Sequence, residues 1–198
     1  MSKIFDLDFR KGSLIEQYSN NKGVNTNSVF KVTEKGQSLY LDSTADLDGY
    51  GVVSGVKTVV MFIKPTANTK ILLDDNVDKL EITGGSYSGT GLTQNYVNTI
   101  DTDSYNSNQW QCVFSEFSSG ISFSTDLEID PTANIYLSRV IGFDSLLTAD
   151  ERANYYQEFL NSASIVPPKR GFNDTSVEID VNEGGLVAGY QFAGYGAD

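Results

Sequence analysis

Residues 59–63 are apolar at every position, inside the run Lys57-Thr58-Val59-Val60-Met61-Phe62-Ile63-Lys64. A strand turns successive side chains to opposite faces, so an unbroken β-branched run is apolar on both. Such a strand belongs at the centre of a sheet, with neighbours on each side and cover on each face. Pro65 ends it. Shorter strand candidates surround it. Residues 4–9 alternate Phe5, Leu7 and Phe9 against Ile4, Asp6 and Asp8, a period of two with one buried face. Residues 29–32, 38–42, 71–73, 79–83, 110–117, 121–124 and 135–143 follow, with further strands near Ser86 and Tyr96 and a marginal one at 127–129. Turn signals separate them: Asn20-Asn21-Lys22-Gly23, Lys35-Gly36, Asp46 with Asp48 and Gly49, and Ser118-Ser119-Gly120.

One helix is expected, and late. Thr148 and Glu151 form the Thr-x-x-Glu capping box, and Asp150 and Glu151 place negative charge at the positive end of the helix dipole. Ala149, Ala153, Tyr156 and Leu160, with Phe159 beside them, recur at helical spacing. Arg152 stands where an apolar staple partner for Leu147 is expected. The helix ends near Asn161, before Pro167 and Pro168. About ten short strands and one late helix predict an all-β antiparallel sandwich over residues 1–163. Residues 164–198, with a strand-like stretch at 176–181 and then five glycines, predict an extended C-terminal arm that contacts a partner.

Composition narrows the chemistry. The chain has 14 basic and 26 acidic residues, a net charge of -12, which disfavours nucleic acid. It has no histidine and a single cysteine, Cys112. Catalysis by Ser-His-Asp or Cys-His and an intrachain disulfide are therefore excluded. Cys112 reads as a small buried hydrophobe. No apolar run reaches the length of a membrane span, and Met1 to Asp6 lacks a secretory h-region, so synthesis in a cytoplasm without a signal peptide is expected.

The segments Phe5-Asp6-Leu7-Asp8-Phe9 with Gly12, Gly36 to Asp42, the central apolar strand, the strand opened by Trp110, and Gly142-Phe143-Asp144 with Leu147-Thr148, Glu151, Tyr155 and Tyr156 resemble the laminin-G-like branch of the concanavalin A-like lectin/glucanase jelly rolls. The resemblance covers roughly residues 4–160 and implies a two-sheet jelly roll. Small acidic proteins of this kind also resemble virion components of tailed bacteriophages. The function expected on that analogy is a non-enzymatic structural or adhesion module of a phage particle, acting as an oligomer through contacts with other virion proteins. A lectin-like module that binds a cell-surface glycan is the alternative, and a β-glucanase-like hydrolase the third reading.

Three sets of residues could carry chemistry. Glu178, Asp180 and Glu183 resemble the Glu-x-Asp-x-x-Glu signature of jelly-roll β-glucanases, although Glu183 has the wrong parity on a regular strand and few residues follow it. Asp46, Asp48, Asp74 and Asp75 offer oxygens to Ca²⁺, the single cofactor left open, with ordinary acidic turns as the alternative. Tyr50, Tyr87, Tyr96 and Tyr105 could stack on sugar rings. Trp110 is expected in the core, because it opens a strand. Gly84, Gly85, Gly89 and Gly91 make no P-loop, lacking Gly-Lys-Ser/Thr before a helix.

Overall fold

The computed structural model describes residues 1–68, 73–74 and 79–162, all within the first of two units, Met1–Ile165 and Val166–Asp198. The arm expected at 164–198 lies outside the described residues. Among the described residues the strands are β1 Lys3–Asp8, β2 Val24–Thr33, β3 Gly36–Asp48, β4 Val53–Pro65, β5 Leu73–Asp74, β6 Lys79–Thr83, β7 Ser86–Gly89, β8 Gln94–Val97, β9 Ile100–Asp101, β10 Gln111–Phe123 and β11 Ile135–Phe143. Phe9–Lys11 is a 3-10 turn, and α1 is Ala149–Asn161.

The fold is an antiparallel two-sheet β-sandwich. The large sheet runs β2-β3-β11-β4-β10-β8-β9, with β1 also pairing β11; the small sheet is β5-β6-β7. β4 lies between β11 and β10, and each pair is antiparallel. Its two faces have different partners. Val59, Met61 and Ile63 join Phe5, Leu7, Leu39, Leu41, Val113, Phe117, Ile135 and Leu137 in the sandwich interior, where Leu80, Ile82 and Tyr87 of the small sheet meet them. Val60 and Phe62 join Cys112, Phe114, Ile141 and Phe143 on the outward face, beneath Leu147 and Phe159. The two-faced run is central because each face has its own apolar cover.

Several strands are longer than their sequence signals. β10 continues through Ser118-Ser119-Gly120, where a turn is expected, because Gly120 (φ 78°) absorbs a bulge opposite Gly55 (φ 70°). β3 likewise runs on through Asp46 and Asp48. At Gly142 the reason for glycine is a neighbour. It pairs with Phe5 across β1, and a Cβ there would stand 2.2 Å from Cε1 of the Phe5 ring. The aromatic ring of one strand covers the bare backbone of the next.

α1 begins at the expected cap. Thr148 Oγ1 accepts from the Glu151 N–H at 3.3 Å, and Glu151 Oε2 accepts from the Thr148 N–H at 2.7 Å. The face it buries differs from the Ala149–Ala153–Tyr156–Leu160 stripe. Phe159 is buried, Tyr155 and Tyr156 pack beside it, Ala149 and Ala153 are exposed and Leu160 is 41% exposed. Polar contacts rotate the helix to this face. Arg152 donates to Leu147 O (2.6 Å) and to Glu116 (2.8 Å), so a guanidinium completes the turn where an apolar staple is missing. The buried Lys35 Nζ donates to Phe159 O at 2.9 Å, at the negative end of the helix dipole.

A charged cluster closes the same junction. Arg139 on β11 grips Asp6 on β1 with two hydrogen bonds (2.9 and 2.5 Å) and also binds Glu158 of α1. Arg10 binds Asp8 (2.7 and 2.9 Å) and Glu158 (2.9 Å). Burial alone would raise the Asp6 and Asp8 carboxyls. The hydrogen bonds and charges of Arg139 and Lys3, and of Arg10, outweigh it and hold both below their ordinary 3.8.

Two outcomes follow from this packing. Gly142→Ala forces the Phe5 ring away and should cost about 1–3 kcal/mol, read as a lower urea midpoint. Asp6 and Asp8 bind protons less readily folded than unfolded, so the stability they contribute is complete above pH 3.8 and lost as pH falls through their lower folded values. Arg139→Gln should cost about 3–5 kcal/mol at neutral pH and flatten the acid limb of stability against pH.

Candidate functional site

The outward face of the large sheet is only partly covered by α1. Along β4 the outward residues pass from Val60 and Phe62, under the helix, to Lys64. Cross-strand pairs at that level carry one row over the sheet: Val29 opposite Tyr40, Tyr40 opposite Tyr136, and Tyr136 opposite Lys64. Directly opposed residues share a face. Their neighbours Leu39, Leu41, Ile135, Leu137 and Ile63 point into the interior, so Tyr40, Tyr136 and Lys64 point out. The Tyr40 and Tyr136 rings lie 4.9 Å apart between centroids and are tilted at 49°. Trp110, just before β10, places its indole 6.5 Å from the Tyr136 ring, and all three rings are half-buried.

Lysines stand around these rings. Lys31 Nζ lies 3.4 Å from the Tyr40 centroid and 5.8 Å from that of Tyr136. Lys64 Nζ lies 5.8 Å from the Tyr136 centroid on its own account and 3.1 Å from Glu34 Oε1. Burial would raise the Glu34 carboxyl, but a hydrogen bond from its own backbone N–H, the Lys64 charge and the nearby Trp110 indole together hold it below its ordinary value. The Trp110 Nε1 closes no hydrogen bond within the geometry of a normal one. Burial, Tyr136 and Asp42 push the Tyr40 phenol up, so it stays a neutral donor at physiological pH. The row is thus a shelf of three half-buried rings, tilted 49° and 57° to their neighbours, with the Lys31 ammonium over the Tyr40 face and the Lys64–Glu34 pair beside Tyr136. An open ring face there can stack on an apolar surface and the charged groups can hydrogen-bond what projects from it. It contains no nucleophile–base pair.

The tyrosines expected to bind a ligand do not form this shelf. Tyr50 and Tyr87 are 2% exposed and belong to the interior core. Tyr105 meets Tyr87 edge-on at 6.4 Å. Tyr96 packs beside the helix face, with the Arg152 guanidinium 3.9 Å over its ring. Tyr50 and Tyr87 are taken up by the core, because the glycines beside them mark chain turns and say nothing of which way a ring points, whereas Tyr96 and Tyr105 are half-buried. Trp110, expected in the core, is half-buried: it packs against the outward apolar cluster with its Nε1 buried, at the end of the shelf. Tyr40 and Tyr136 are the residues that sequence reasoning missed. The signal was present: Leu39-Tyr40-Leu41 and Ile135-Tyr136-Leu137 each set a tyrosine out of phase with two apolar neighbours.

The acidic candidates resolve in part. Asp46 and Asp48 lie within β3 rather than a loop, and burial with the charges of Asp48, Asp130 and Asp126 pushes the Asp46 carboxyl up. Asp126 is engaged by the N–H groups of Gly49 (2.6 Å) and Gly51 (2.5 Å). Among the described residues no three acidic or cysteine side chains are grouped so as to hold a metal. Asp74 lies in β5; Asp75, with Glu178, Asp180 and Glu183, lies outside the described residues. Cys112 is buried beneath α1, and burial pushes its thiol well up. Among the described residues no helix is long and apolar enough to cross a membrane.

No family profile and no curated protein sequence matches the chain. Solved structures do. Domain 4 of a GH43 extracellular arabinanase from Geobacillus stearothermophilus, solved with arabinotriose, is 11% identical over 79% of this chain and 98% of its own, with a TM-score of 0.46. The receptor-binding domain of botulinum neurotoxin mosaic serotype C/D is 13% identical over 79% of this chain and 51% of its own, at 0.49. The binding domain of botulinum neurotoxin serotype D/C is 10% identical over 80% of this chain and 52% of its own, at 0.50. The chain spans about half of each neurotoxin domain. At this identity the last likeness bears on fold, and the fold class it defines is the jelly-roll-like sandwich that the strand order describes.

A stability comparison separates shelf from core. Tyr87→Ala should cost about 3–5 kcal/mol, as for a large core aromatic. Tyr136→Ala should cost about 1 kcal/mol or less. Chemical denaturation of both variants measures the difference.

Proposed function

We propose that the sandwich is a non-catalytic, lectin-like binding module whose ligand surface is the row Tyr40, Tyr136 and Trp110. The observation that carries this reading is the pair of outward tyrosines on adjacent strands, 4.9 Å between centroids and continued by the indole. A pyranose has one face made largely of C–H groups, which stacks on an aromatic ring, while its hydroxyls reach polar groups at the rim. Lys31, Lys64, Glu34 and the Tyr40 phenol supply that rim. A β-sheet holds such rings at fixed spacing, so little conformational entropy is lost on binding.

The phage-particle module expected from composition rests on analogy of fold and charge, and no described residue favours it over the glycan reading. Contacts with virion proteins, oligomer formation and a virion address belong to that second reading.

The test is a glycan array followed by titration calorimetry of the best binders. A shallow shelf of this kind should bind oligosaccharides with Kd on the order of 0.1–1 mM. Tyr136→Ala should weaken that binding about tenfold or more, and Tyr105→Ala should leave it unchanged. Binding that survives Tyr136→Ala would place the ligand elsewhere.

A further inference from the structure

We infer that the sugar taken by this row is acidic, a pyranose carrying a carboxylate; the inference rests on the row being the ligand surface. The chain carries a net charge of -12, so its average field repels anions. Against that background two ammonium groups flank one ring: Lys31 and Lys64 each stand 5.8 Å from the Tyr136 centroid. The two reach it from different strands. Lys64 comes from β4, directly opposite Tyr136, and Lys31 from β2, beyond Tyr40.

A carboxylate on a stacked pyranose projects from the sugar ring, and two ammoniums stand within 5.8 Å of the Tyr136 centroid to meet it. Lys31 is exposed and rests on the Tyr40 face at 3.4 Å; no carboxylate of the described residues is in ion-pair range of it. Its flexible stem lets it lift from the ring and follow an incoming anion. Lys64 is already paired with Glu34 at 3.1 Å, and the Glu34 side chain is 61% exposed. An exposed ion pair contributes little, so a ligand carboxylate can replace Glu34 at small cost. Glu34 then has a role of its own: it holds Lys64 in place when the row is empty and competes with the ligand for it. Lys35, the third lysine of this region, is buried on Phe159 O and takes no part.

The experiment uses the full chain and a panel of uronate- and sialate-bearing oligosaccharides, each beside the same sugar with its carboxylates reduced to primary alcohols. The acidic form should bind about tenfold more tightly at low salt, and the advantage should shrink at about 0.5 M salt as the charges are screened. Lys31→Gln with Lys64→Gln should abolish the advantage, so that the acidic and reduced forms bind that variant alike. Glu34→Gln should raise affinity for the acidic form about threefold. Equal binding of the two forms, or preference for the reduced one, overturns the acidic assignment and leaves the row as a neutral sugar site. Absence of binding by every sugar overturns both.

Discussion

The rest of the structure depends on β4 being apolar on both sides. Val59, Met61 and Ile63 require a layer beneath the large sheet, and the small sheet with the long ends of β3, β4 and β10 provides it. Val60 and Phe62 require a layer above, and the one helix of the described residues provides that. A helix the length of α1 spans about 20 Å, against about 40 Å for a strand the length of β4. Part of the outward face is therefore left to other residues. The aromatic row occupies that remainder, so the candidate site is a consequence of unequal layers.

What keeps the helix on its half of the face is largely polar. Phe159 fills the apolar seat, while Glu158 is shared by Arg139 and Arg10, Arg152 reaches Glu116 and Leu147 O, and Lys35 meets the last turn. Partly buried charges gain little net energy over apolar packing, but each unpaired member is costly, so such a cluster favours one register over its neighbours. A helix shifted by one residue would strand Arg139 and Glu158 together.

Much of the fold was legible in the residues. Period-two alternation marked β1, the unbroken apolar run marked the central strand, and the capping box marked the first turn of α1. Strand lengths were less legible, because Gly120 and Asp46 read as turn residues while the structure uses a bulge and a continued ladder to pass them. The helix face was misread because small apolar residues at regular spacing outnumber Phe159, whereas volume and the Glu158 and Arg152 partners decide the rotation. The site was hidden for a related reason: residues were sought in polar loops, and the outward aromatics stand inside strands, visible only through the parity of Tyr40 and Tyr136 against their leucine and isoleucine neighbours.

Trp110 is the single tryptophan of the chain and stands at one end of the row. Its fluorescence therefore reports on that surface directly. Titration with an acidic oligosaccharide should give a saturable change in intensity and emission maximum, absent in Tyr136→Ala although that variant remains folded. Binding registered by calorimetry with no change at Trp110 would contradict the assignment of this face as the ligand surface.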